Sequence, residues 1–202
     1  MIPVAAAPEP ASFDIKVRQP GLRFLARQSG APDWRRGSYW RLALPDLREA
    51  YLEICCYSAE WIPSTTGTSS VDHFEPLSAR RDLAYEWSNF RHAAARLNAR
   101  KRNVQGILDP FTIGANWFAL DFPSLLIRPG AALPDSRRGE FGVTVAVLLL
   151  NGETSISSRM RWVRGYCDGL FTFAYLKESA PFIASEIERQ GLVSTLAQIM
   201  MF

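Results

Sequence analysis

The chain holds two histidines. One of them, His73, directly follows Asp72 in the stretch VDHFEPLSARRDLAYEWSNFRHAAARLNARKRN, Val71 to Asn103. An imidazole with an ordinary pKa of about 6.5 is largely neutral near pH 7 and can take a proton from an attacking water. Asp72 supplies a hard carboxylate oxygen, and Asn98 an amide oxygen. Together they suit one Mg²⁺-type ion, which takes few protein ligands and keeps waters to exchange for phosphate oxygens. Asn89 can hold the imidazole in one orientation, as the third member of a triad does. Arg91, Lys101 and Arg102 offer cations for charge developing on a phosphate. A base, a Lewis acid and cations are the parts that phosphodiester hydrolysis needs. Adjacent residues of a regular strand point to opposite faces. Asp72 and His73 therefore serve one site only if the strand bends or bulges, or if the site lies at the strand end. Pro76, close by, favours an irregular end.

These residues need elements to position them. The segment WIPSTTGTSSVDHF reads as two short extended pieces around a Thr-Gly-Thr-Ser turn at 66–69, a β-hairpin ended by Pro76. Ser88 or Asn89 can cap a helix over FRHAAARLNARKR, residues 90–102. With Asn98 at the centre of one face of that helix, steps of about 100° put Arg91, Lys101 and Arg102 within about 60° of it. Ala94 and Ala95 share the face and are small, while Arg96 and Arg100 point away. A nucleic-acid backbone could approach such a face closely.

Elsewhere, residues 1–12 read as a disordered Pro/Ala leader, and Phe13 to Trp40 as irregular and basic. LPDLREAYLEICCY reads as a helix with Asp46 as N-cap. FGVTVAVLLLNGE is either a strand or a buried helix. SISSRMRWVRGYCDGLFTFAYLKE and PFIASEIERQGLVSTLAQIM read as two further helices.

A length of 202 residues suits one well-buried domain, or a core with an appendage. The longest apolar run, Val143 to Leu150, is far short of a membrane span, and the N-terminus lacks the pattern of a secretory signal. Cys55, Cys56 and Cys167 do not make a disulfide framework, so a reducing cytoplasm is expected. The formal net charge is +3, and the lysines are only Lys16, Lys101 and Lys177. Arginine binds phosphate with a planar fork of donors; the competing explanation of this composition is a GC-rich genome. Oligomeric state is left open.

A His on a hairpin, an Asn in the following loop and an Asn on the next helix resemble the HNH (ββα-metal) nuclease motif. The chain is most similar to bacterial HNH proteins associated with retron and Septu-type anti-phage defence. The pieces that carry the resemblance are CCYS (Cys55 to Ser58), DHFEPLS (Asp72 to Ser78), YEWSN (Tyr85 to Asn89), ARLNARK (Ala95 to Lys101) and LDPF (Leu108 to Phe111), with a family-like LN at Leu150-Asn151. It spans roughly residues 51–164. It implies His73 as general base, Asp72 and Asn98 as ligands of a single Mg²⁺ or Mn²⁺ ion, Asn89 as orienter of the histidine, and Lys101 on phosphate. Many relatives bind a structural zinc through four cysteines. Here only Cys55 matches, with Ser58, Ala94 and Leu97 at the other places. One thiolate cannot build a tetrahedral site, so no structural zinc is expected, and apolar packing through Ala94 and Leu97 replaces it. Leu77 stands where relatives carry a lysine, which weakens phosphate contact.

The expectation is an α+β fold, mostly helical, around a ββα-metal hairpin-helix. Its parts would be a leader (1–12), an irregular to helical segment (13–50), the nuclease core (51–110) and a C-terminal helical extension (111–202). The expected function is a metal-dependent HNH endonuclease cleaving DNA. By resemblance it would act in phage defence, with a P-loop ATPase partner; the short apolar runs lead to no expected membrane association. The alternative is a catalytically silent HNH-derived subunit that binds DNA or docks a larger ATPase. His92 reads as structural and the cysteines as core filler. Trp87, Trp117 and Phe118 read as packing residues, and Asp109 as closing a turn.

Overall fold

Apolar residues spread through the first hundred positions gather into one core. The structure is a computed structural model that describes residues 1–65 and 68–200. It divides into two compact units. The first joins Ala5–Cys55 to Ile62–Gln105, and the second joins Met1–Val4, Cys56–Trp61 and the chain from Gly106 onward.

In the first unit, residues expected to be irregular form a π-helical turn, Asp14–Arg18, that continues into α1, Gln19–Ala26. Phe13 and Val17 anchor it in a core with Ala43, Leu47, Val71, Tyr85, Trp87 and Phe90. Gly21 lies where a Cβ would come within 2.3 Å of Cγ of Tyr85; its missing side chain lets that ring lie on α1. α2 spans Leu44–Ala50, with Asp46 inside the first turn and not at the N-cap. The longer helix expected here breaks at Leu52 and Glu53, whose φ values of 51° and 58° are left-handed. Residues 1–12, expected to be disordered, form no regular element. Within this unit, however, Ala7 is tied at both backbone groups, its N–H to the Tyr51 hydroxyl at 3.1 Å and its carbonyl to Nε1 of Trp87 at 2.8 Å.

β1 (Ser69–His73) pairs antiparallel with β2 (Phe90–Ala94), and α3 follows at Ala95–Lys101. Two expectations change. The partner of β1 is not the segment just before it; the expected turn involves Thr66 and Gly67, which lie outside the described residues. The helix begins later than expected because Phe90 to Ala94 are claimed by β1. Asn89 and Ser88 are therefore not its cap, and Ala94 (ψ 128°) makes the corner. The Ala95 N–H bonds Thr68 O at 2.8 Å across it. Arg102, with φ 47°, ends α3.

In the second unit, β3 (Phe118–Asp121) and β4 (Leu126–Pro129) form an antiparallel hairpin, followed by α4 (Arg138–Val147). The ambiguous apolar run thus resolves as helix up to Val147. α5 (Glu153–Cys167), α6 (Phe173–Ser179), α7 (Pro181–Arg189) and α8 (Leu196–Met200) complete it. Gly169 (φ 71°) and Gly191 (φ 67°) split what read as two long helices into four, since a left-handed residue past a helix end stops it. Arg159 of α5 donates to Leu125 O and Leu150 O, each at 2.8 Å, and Glu186 of α7 accepts the Leu120 N–H at 2.8 Å.

The fold is α+β, with helices predominating and, among the described residues, two small antiparallel two-stranded sheets. Among those residues, no helix is long and apolar enough to cross a membrane.

Candidate active site

Register decides which side chains meet. Asp72 opposes Arg91, and His73 opposes Phe90, in an unbroken ladder. Alternation puts Ser70, Asp72, Arg91 and Ala93 on one face, and Val71, His73, Phe90 and His92 on the other. Asp72 and His73 accordingly point to opposite faces. No bulge joins them, but His73 is the last residue of β1, so its ring stands at the strand end.

α3 lies over the Asp72 face. Asn98 donates from Nδ2 to Ser70 Oγ at 3.0 Å and to Val71 O at 3.1 Å. A carbonyl only accepts, so the amide nitrogen must lie on that side and the oxygen on the other. Among the described residues, no donor bonds that oxygen. One turn on, Lys101 reaches under the strand end. Its Nζ bonds Asp72 Oδ1 at 3.1 Å and His73 O at 2.6 Å, and lies 5.7 Å from the Phe74 ring centre. Lys101 is 0% exposed and Asp72 2%. The structure thus brings Lys101 onto Asp72, and Asn98 onto the preceding residues of β1, Ser70 and Val71.

His73 packs on the other face, 5.1 Å from the Phe90 ring and 4.9 Å from Trp40, both edge-on. Its Nε2 donates to Ala84 O at 2.9 Å. That bond fixes the tautomer and leaves the lone pair on Nδ1. Burial pushes its pKa below the ordinary value and outweighs the opposing pull of the Ala84 bond and of Asp72. The ring is neutral near pH 7, as a base must be.

Asn89 does not touch the imidazole through any of its bonds. It accepts the Glu75 N–H at 2.8 Å, and its Nδ2 donates to Glu75 O at 3.1 Å and Leu83 O at 3.3 Å. It ties the two ends of the loop between β1 and β2, and so acts on His73 only through Leu83, the neighbour of Ala84. Tyr85 braces the same loop through its hydroxyl on Gly37 O at 2.7 Å.

The wheel that grouped Arg91 with Asn98 does not hold, because Arg91 lies in β2. It is buried, bonds Ser88 O and Phe90 O at 2.8 and 3.0 Å, and covers the Phe74 ring at 5.1 Å. Of the three cations expected on nucleic acid, only Arg102 is exposed. Cys55 accepts the Ala94 N–H at 3.3 Å and Leu97 is buried; Ala94 is half-buried. His92 is sealed, with Nδ1 on Ile54 O at 2.8 Å and Nε2 without a partner among the described residues.

Sequence reasoning missed two contributors, Trp40 and the Ala84 carbonyl. Trp40 lies in the segment read as irregular, where a cluster of aromatics at Trp34, Tyr39 and Trp40 was the available signal. A backbone oxygen has no signal at all.

By donor chemistry, a carboxylate oxygen of Asp72 and the amide oxygen of Asn98 suit a hard divalent cation. A cation already stands against Asp72, the Lys101 ammonium at 3.1 Å. The chain matches no protein-family model and no curated protein.

Proposed function

We propose that the chain is a metal-dependent endonuclease of the HNH type acting on DNA. The observation that carries this reading is the fixed tautomer of His73, a neutral imidazole held by Ala84 O at 2.9 Å with its lone pair on Nδ1 at the strand end. Asp72 and Asn98, on the α3 side of that end, would hold the ion. A bound Mg²⁺ or Mn²⁺ would polarise the phosphodiester and stabilise the leaving oxygen. His73 takes the proton of the attacking water at Nδ1. Asn89 and Tyr85 keep Ala84 in place and thereby keep the imidazole from rotating. Trp40 shields one side of the ring from water. Arg102 gives the phosphate an exposed cation. By resemblance, the setting is phage defence beside a P-loop ATPase.

A plasmid-nicking assay with and without Mn²⁺ tests the proposal. Cleavage should need the ion, and His73→Ala should lower it by about 10²–10⁴-fold. Nicking that survives His73→Ala unchanged would remove the base assignment. A second reading, a silent HNH-derived binding or assembly subunit, is favoured by one observation: Lys101 and Asp72 already neutralise each other, with the ammonium 0% exposed. Metal-independent DNA binding with no cleavage by wild type would select it.

A further inference from the structure

The Lys101 ammonium sits in surroundings that would suit a metal ion. Its ligands are a carboxylate oxygen of Asp72 at 3.1 Å and the carbonyl oxygen of His73 at 2.6 Å, with the Phe74 ring 5.7 Å away. Carboxylate and carbonyl oxygens are the donors a hard cation prefers. The ammonium arrives from the last turn of α3, one turn beyond Asn98. A second cation, Arg91, stands opposite Asp72 in the register. A divalent ion at Asp72 would then meet an ammonium within a few ångströms and away from water, where like charges repel strongly. The lysine stem has four flexible carbons and can swing out.

We infer that the Lys101 ammonium and a divalent cation are alternative occupants of one place against Asp72: the free chain supplies its own cation there, and a metal ion enters only as Lys101 leaves. This rests on Asp72 being the metal-binding carboxylate of the proposed nuclease. It adds an exchange step, since the released ammonium emerges beside the exposed Arg102, where a substrate phosphate could take it.

The chain offers a direct readout because its lysines are only Lys16, Lys101 and Lys177, and the other two are exposed. Wild type is titrated with Mn²⁺, with free ion read by electron paramagnetic resonance. Amine acetylation at each Mn²⁺ level is read by peptide mass spectrometry. Lys101→Met and Lys101→Met/Asp72→Asn are titrated alongside.

The expected result has three parts. Lys101→Met binds one Mn²⁺ at least about tenfold more tightly than wild type, a gain of about 1.4 kcal/mol. The added Asp72→Asn abolishes that gain. In wild type, Lys101 is protected without Mn²⁺ and acetylated like Lys16 and Lys177 once the site fills. Wild type that binds no Mn²⁺ while Lys101→Met does is also support, as is a Lys101→Met chain that folds only when Mn²⁺ is added.

The inference is overturned if Lys101→Met binds no tighter than wild type, or stays unfolded with and without Mn²⁺. It is equally overturned if Lys101 remains protected while Mn²⁺ fills a site that Asp72→Asn removes. Binding and acetylation are independent of cleavage. Exchange without nicking would sink the nuclease and spare the exchange, and nicking without exchange would do the reverse.

Discussion

The chain builds the order strand, strand, helix twice, and fills the two differently. In β1–β2–α3 the polar contacts between helix and strands are made by Asp72, Asn98 and Lys101, on a helix that also buries Leu97. In β3–β4–α4, the Phe118 and Phe141 rings meet at a tilt with centroids 4.9 Å apart, and Leu120 and Ile127 are buried with them. An apolar filling suffices to hold such a unit together. The polar filling of the first therefore needs another reason than packing. The amides draw the same line. Asn151 spends both ends on one residue, accepting the Ile127 N–H at 2.7 Å and donating to Ile127 O at 3.0 Å. Asn151 is thus a structural amide, whereas Asn98 spends its nitrogen on β1, and its oxygen carries no hydrogen bond among the described residues.

The largest break in this comparison is at the buried ion pair. Breaking a buried ion pair by removing one member is destabilising, so Lys101→Met should lower unfolding stability by about 3–5 kcal/mol, while Lys101→Met/Asp72→Asn should lose much less. Guanidinium melts of the three proteins check it. A single variant as stable as wild type would mean that Arg91 alone suffices for Asp72.

Next in size is the brace behind His73. Gly→Ala inside a helix ordinarily helps by up to about 1 kcal/mol. At Gly21 the new methyl would lie 2.3 Å from the root of the Tyr85 ring, so the sign reverses and Gly21→Ala should cost about 1–3 kcal/mol. Because Tyr85 adjoins Ala84, nicking should fall with it. Stabilisation by Gly21→Ala would show that the loop holding Ala84 is looser than its bonds imply.

How much of this was legible in the sequence follows from where each cause lies. That Asp72 and His73 could meet only at a bulge or at a strand end was readable from strand alternation, and the ladder is unbroken with His73 as its last residue. The strand at Phe90–Ala94 was not. FRHAA is followed by an alanine-rich helical run, and its strand identity comes from pairing with β1, a non-local cause. Lys101 on a short basic helix reads as a solvated cation. What buries it is a carboxylate 29 positions earlier. Gly169 and Gly191 were visible as residues, but that each stops a helix is settled by its left-handed φ. The partner of the His73 ring escaped because it is a backbone oxygen, Ala84 O, while the expected side chain, Asn89, bonds Glu75 and Leu83.

The two amides make a finer test. Asn151→Ala strips both partners from buried backbone groups of Ile127 and should cost about 1–3 kcal/mol without altering metal-dependent nicking relative to the folded fraction. Asn98→Ala loses bonds at a half-buried site, for about 0.5–1.5 kcal/mol, yet should abolish nicking. If the effects on nicking are reversed, the amide oxygen of Asn98 has no role.

The smallest effect separates the two segments by pH. Both histidines lie in β1 and β2, and burial depresses both pKa values. For a base, a depressed native pKa means that the unfolded chain binds protons first. Stability is then complete above the unfolded value of about 6.5 and declines as pH falls below it. From pH 7.5 to 6.0 the loss is at most about 0.8 kcal/mol for each imidazole. The second unit carries no histidine. Its buried carboxylate, Glu186, is pushed up by burial, but the bonds from Arg189, the Leu120 N–H and Gln190, with the Arg189 charge, hold it below the usual range. A depressed carboxylate contributes stability that is complete above its unfolded value of about 4.3 and is lost only below that. Between pH 6.5 and 4.5, amide exchange corrected for pH should therefore speed up in β1 and β2 while β3 and β4 stay protected. Equal acceleration in both hairpins would mean that the imidazoles are not held neutral by burial, and the base assigned to His73 would lose its physical ground.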